Sequence, residues 1–68
     1  MMENEKSVKI TLSAARVNAG LKQKDAAKKL GINVSTLANY EAGKTKPDVP
    51  TAYKLAKLYN MSIDNIFF

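Results

Sequence analysis

The stretch that most constrains this chain is residues 22–48, KQKDAAKKLGINVSTLANYEAGKTKPD. Ala26, Ala27 and Leu30 are spaced three and four residues apart, so they share one face of a helix. Leu37, Tyr40 and Glu41 define a second such face. Gly31 stands between them, where the chain must turn and a residue without a β-carbon takes positive φ at no steric cost. Ile32 fills the corner with apolar bulk. Asn33 is placed to cap the second helix through its side chain, so that helix is expected to begin at Val34. Two helices that cross steeply after so short a turn need a narrow residue at the crossing, and Ala27 supplies one.

The flanking sequence supplies the remaining elements. Residues 1–9 are polar and aperiodic, and residues 1–10 are expected to form a flexible lead-in to a single domain over 11–68. Thr11 can cap a first helix whose buried stripe is Leu12, Ala15 and Ala19, with Gly20 ending it and Leu21 folding back onto the core. Arg16 shares that inner side and needs a partner there. Glu41, beside Leu37 and Tyr40, is the evident one. A second helix is expected over residues 22–30 and a third from Val34 to about Ala42, ended by Gly43. Asp48 can cap a fourth helix with Pro50 tolerated in its first turn, and Ala52, Leu55, Ala56 and Tyr59 give that helix its buried face. Ser62 can cap a short fifth helix containing Ile63, Ile66 and Phe67. The expected fold class is therefore all-α, a compact bundle of five helices.

Sixty-eight residues make one small domain, near the lower limit for folding without staples, with roughly 60% of the unfolded surface buried. A separate effector-sensing or oligomerisation domain is not expected. The chain has no cysteine and no histidine, which removes disulfides, thiolate metal sites and the commonest acid–base group. Its six carboxylates form no recognisable catalytic constellation. An enzyme, a metal centre or a cofactor site is thus not expected. No apolar run long enough for a signal or a membrane span is present, and a cytoplasmic location is the expectation. The net charge of +5 is concentrated: residues 22–46 carry six lysines against Asp25 and Glu41. Such a basic stripe is the electrostatic footprint of phosphate binding, with a merely solvated lysine face as the bland alternative.

Gln23, Ala27, Gly31, Ile32, Leu37 and Tyr40, with the trailing EAGK of residues 41–44, resemble the phage-repressor and Cro-like helix-turn-helix family (XRE-type). The resemblance runs from about Leu12 to Phe67 and includes Arg16, Gly20, Leu21, Pro47 and Asp48. It implies a lambda-repressor-like DNA-binding domain whose second and third helices form the helix-turn-helix. It also implies that Arg16 and Glu41 form a structural ion pair, and that Gln23 bonds a phosphate while bracing the reading helix. Two positions depart from the family pattern. Lys22 stands where Ser or Thr is usual and cannot accept a capping bond, and Ala42 replaces a frequent Asn, which removes a polar phosphate contact.

These residues assign the expected contacts with double-stranded DNA. The base-reading residues are Val34, Ser35 and Asn39, which with Ala38 form the outer face of the third helix. Asn can pair bidentately with adenine, Ser bonds several base edges, and Val offers an apolar surface to a thymine methyl. The reading face lacks arginine, so A·T-containing steps should be favoured. Phosphate contacts are expected from Lys22, Gln23, Thr36, Lys44 and Lys46, which position without specifying. Phe67 and Phe68 follow the last core positions and are expected to form a homodimer interface. The leading function is a transcriptional regulator that represses by occupying a near-palindromic operator, with no small-molecule effector evident. The alternative is a protein-interaction module or antitoxin on the same fold, with DNA binding secondary.

Overall fold

The computed structural model describes residues 9–68. Four α-helices form the body: α1 (Leu12–Asn18), α2 (Gln23–Leu30), α3 (Val34–Ala42) and α4 (Val49–Leu58). A 3-10 turn (Ile63–Asn65) follows, and two short strands, β1 (Ile10–Thr11) and β2 (Ile66–Phe67), bring the two ends of the domain together. They pair in parallel, with Ile10 opposite Ile66 and Thr11 opposite Phe67. Most of the expected flexible lead-in lies outside the described residues. Its last residue, Ile10, belongs to the domain and packs against the core.

The helix boundaries follow local chemistry. Thr11 Oγ1 accepts from the Ala14 N–H at 3.0 Å, and Asp48 Oδ1 accepts from the Thr51 N–H at 2.9 Å with Pro50 in the first turn of α4. Hydrogen bonding from Thr51, its side chain first and its backbone N–H second, holds the Asp48 carboxyl below its ordinary pKa. Gly31 closes α2 at φ 75°. The Ile32 N–H then reaches back to the Ala27 carbonyl at 3.0 Å and the Gly31 N–H to Lys28 at 3.2 Å, the reciprocal pair that satisfies a helix C-terminus. A β-carbon on Gly31 would meet nothing within 4 Å, so glycine is needed there for its φ and not for space. α4 ends without glycine: Asn60 takes φ 58°, which an asparagine tolerates better than most residues.

Three expectations are corrected here. The expected fifth helix is only a 3-10 turn. Ser62 Oγ accepts from the Asp64 N–H at 3.3 Å, but β-branched Ile66 adopts extended angles, φ −121° and ψ 133°, and spends its backbone on β1. A helix of so few residues is costly to nucleate, whereas a strand partner is already present. Ala19 is exposed and not part of the buried stripe, because α1 stops at Asn18 and the chain turns through Ala19 into Gly20 at φ 77°. Asn33 occupies the cap position of α3 with extended backbone angles, yet its side chain makes no capping bond. It is exposed, so solvent can satisfy the first N–H groups of that helix.

The core lies where all four helices meet and is built from Leu12, Ala15, Ala26, Ala27, Leu37, Leu55, Ala56, Tyr59 and Ile66. Four of these nine are alanines, which lets short helices approach closely around the two largest fully buried side chains, Leu37 and Leu55. Leu21, Leu30, Ile32, Tyr40 and Phe68 pack around this centre. The last three residues alternate as a strand does. Ile66 points in, Phe67 is 57% exposed, and Phe68 turns back against the core. Phe67 is therefore the more exposed of the two rings, and Phe68 is half-buried.

Candidate nucleic-acid interface

The candidate interface is organised by a polar cluster behind it. Glu41, near the end of α3, receives three hydrogen bonds: from Arg16 Nε at 2.7 Å on Oε2, and on Oε1 from Arg16 Nη2 at 3.4 Å and Gln23 Nε2 at 2.8 Å. Arg16 Nη1 also donates to the Leu21 carbonyl at 2.8 Å. One carboxylate thus ties α1 and the first residue of α2 to the C-terminal half of α3, and Arg16 also holds the α1–α2 connection. The Arg16 and Glu41 side chains are only 14% and 7% exposed, so this is a largely desolvated pair with its hydrogen bonds made, the geometry in which an ion pair specifies an arrangement.

The expected Arg16–Glu41 pair is present, and Gln23 joins it directly. A carboxylate only accepts, so the amide nitrogen of Gln23 must face Glu41, and one amide N–H and the amide oxygen remain for another partner. Sequence reasoning missed two members of the cluster. The Leu21 carbonyl became an acceptor because the Gly20 turn brings it under the guanidinium. Tyr59 was read only as a core ring, but its buried hydroxyl has no hydrogen-bond partner among the described residues. Burial first, then the Glu41 charge, push the Tyr59 pKa up to about 12, with Arg16 acting the other way.

With its inner side held by Leu37 and Glu41, α3 turns its other face outward. Val34 is 47% exposed, Ser35 is exposed, and Ala38 and Asn39 are half-buried. Lys22 is exposed at the cap of α2 and makes no capping bond. Lys44, Thr45 and Lys46 are exposed in the loop after Gly43, which ends α3 at φ 77°. Thr36 is half-buried. Phe67 lies opposite Thr11 of the amino-terminal strand, with Lys9 Nζ 5.6 Å from its ring centroid, within cation–π range.

Among the described residues no group of histidine, cysteine or carboxylate side chains is arranged to hold a metal ion, and no helix is long and apolar enough to cross a membrane. A face of small polar and apolar side chains on a short helix, flanked by lysines and braced from behind, is suited to reading base edges between two phosphate backbones.

Comparison with known proteins identifies the family. Residues 12–66 match the helix-turn-helix family. The chain is 49% identical over 53 residues to the transcriptional regulator ImmR of Bacillus subtilis, an alignment that covers 78% of this chain and 42% of ImmR. It is 38% identical over 60 residues to an uncharacterized regulator of Methanocaldococcus jannaschii, covering 88% of this chain and 91% of that protein. A third relative, from Archaeoglobus fulgidus, is 36% identical over 52 residues, covering 76% and 74%. No solved structure matches the chain. The chain belongs to the phage-repressor and Cro-like (XRE-type) helix-turn-helix family of DNA-binding transcriptional regulators.

Proposed function

We propose that this protein is a sequence-specific transcriptional regulator that enters the major groove of DNA with α3 and represses by occupying its operator. The observation that carries this reading is the two-sidedness of α3: Glu41 and Leu37 anchor one side, while on the other Val34 and Ser35 are exposed and Asn39 is half-buried. In this reading Asn39 pairs with adenine, Ser35 bonds a neighbouring base edge and Val34 packs on a thymine methyl. Lys22, Thr36, Lys44, Lys46 and the amide group of Gln23 left over from Glu41 hold the flanking phosphates. A cytoplasmic location follows from this role.

The test is selectivity. Asn39→Ala should weaken binding to a selected operator by about 1–3 kcal/mol per half-site while leaving binding to random duplex nearly unchanged. Parallel anisotropy titrations on the two duplexes read the difference, and equal weakening on both would make Asn39 a positioning residue.

One helix contacts few base pairs, so useful specificity against a genome of competing sites calls for two copies on one operator. The exposed Phe67 ring is the group in this reading that a second copy covers, giving a two-fold dimer with reading helices roughly 34 Å apart on a near-palindromic site. Sedimentation at micromolar concentration should find a dimer that Phe67→Ser dissociates. A wild-type protein that stays monomeric both free and on its operator rules the pairing out.

A further inference from the structure

A second surface, distinct from the proposed reading face, carries charge that the DNA-binding account does not use. A cleft of about 320 Å³ runs between the last turn of α2 and the C-terminal half of α4, lined by Lys29, Leu30, Lys54, Lys57 and Leu58. Its volume falls in the range of about 300–1,000 Å³ typical of ligand pockets. Leu30 and Leu58 are only partly buried and pack against the core from outside, so they supply the apolar part of the lining. The three lysines are exposed. None of them pairs with a carboxylate among the described residues, where Arg16–Glu41 is the ion pair found. Lys29 is six residues beyond Gln23, about 9 Å along α2 and away from the end proposed to meet phosphate.

An apolar lining bordered by three exposed lysines on two helices, none in an ion pair among the described residues, selects its ligand by chemistry. A fully polar polyanion such as a phosphate backbone leaves both leucines uncovered. A small amphiphile with a single carboxylate engages one lysine and leaves the others. The shape and charge are matched by a segment that carries aliphatic side chains along one stripe and several carboxylates beside it, the helix-in-groove mode of recognition. We propose that this cleft docks an acidic amphipathic helix of a partner protein, its aliphatic side chains on Leu30 and Leu58 and its carboxylates beside Lys29, Lys54 and Lys57. Electrostatic complementarity of this kind speeds encounter and sets register more than it adds affinity, which suits a contact made while the regulator sits on DNA.

The test uses the full chain without DNA, so its outcome is independent of the operator reading. The probe is a fluorescein-labelled synthetic helix of about four turns with leucines at i, i+3, i+4 and i+7 and flanking glutamates, set against a peptide of the same composition in scrambled order. The amphipathic peptide should bind saturably, and amide shifts should centre on Lys29, Leu30, Lys54, Lys57 and Leu58. The scrambled peptide should bind much more weakly. Lys54→Gln with Lys57→Gln should lower peptide affinity about five- to tenfold. The same double variant should keep the slope of duplex binding against salt, because that slope counts phosphate contacts. Equal binding of the two peptides, or shifts centred elsewhere, overturns the proposal. So does a shallower salt slope in the variant, which makes these lysines phosphate ligands. A variant that loses self-association in sedimentation overturns it too, since the occupant is then a second copy of this chain.

Discussion

Glu41→Ala should remove about 3–5 kcal/mol of folding stability, a large share of the roughly 5–15 kcal/mol that holds a domain of this kind together. The side chain is 7% exposed and accepts from both Arg16 and Gln23. Truncation therefore strands a guanidinium in a largely desolvated site and leaves an amide without its acceptor. Replacing both charges with apolar groups of similar volume, Arg16→Met with Glu41→Leu, should cost less than the single truncation, since no uncompensated charge remains. Urea titration of the single and double variants measures both. A loss of no more than about 1 kcal/mol for Glu41→Ala would make the pair equivalent to a surface salt bridge and remove its role in orienting α3.

Leu37→Ala should cost about 2–5 kcal/mol, toward the upper end. Leu37 is 0% exposed in a core whose buried residues include Ala15, Ala26, Ala27 and Ala56. Alanines have no rotamers with which to collapse into a void, so the cavity should persist. Leu58→Ala, at the half-buried edge of the same core, is the control and should cost much less. Equal losses at the two sites would mean that the core relaxes freely. Leu37 also backs the outer face of α3, so the same variant should loosen the geometry on which base selection depends.

What could be read in the sequence is what short-range chemistry encodes. Gly31 and Gly43 end their helices in left-handed conformations because their neighbours are helix-forming runs that need a stop. Thr11 and Asp48 cap because each precedes an apolar-periodic segment. Arg16 and Glu41 could be paired on paper since both fall on inward faces. The misreadings have a different origin. Ile63, Ile66 and Phe67 have helical spacing, but Ile66 is captured by Ile10, more than fifty residues earlier in the sequence, and no local pattern announces that pairing. Once Ile66 is a strand residue, alternation sends Phe67 out and Phe68 back, which a helical reading cannot give. The Tyr59 hydroxyl lies near Arg16 and Glu41 through packing of α4 against the rest of the core, again a tertiary effect. The residues proposed for the DNA contacts are exposed or half-buried, as the helical spacing of the buried residues around them implies.

The most direct measurement is duplex binding in graded salt, for the wild-type chain and for a variant with Lys22, Lys44 and Lys46 all replaced by Ala. These three lysines are exposed, and each is proposed to hold one phosphate per protomer, about six contacts in a dimer, with log affinity falling by about 0.9 per contact for each tenfold rise in salt. The account predicts steep weakening of the wild type with salt and a slope shallower by about five in the triple variant of a dimer, or by roughly half that if a monomer binds. A slope that the three replacements leave unchanged, or a wild-type chain that binds no duplex at low salt, would contradict it.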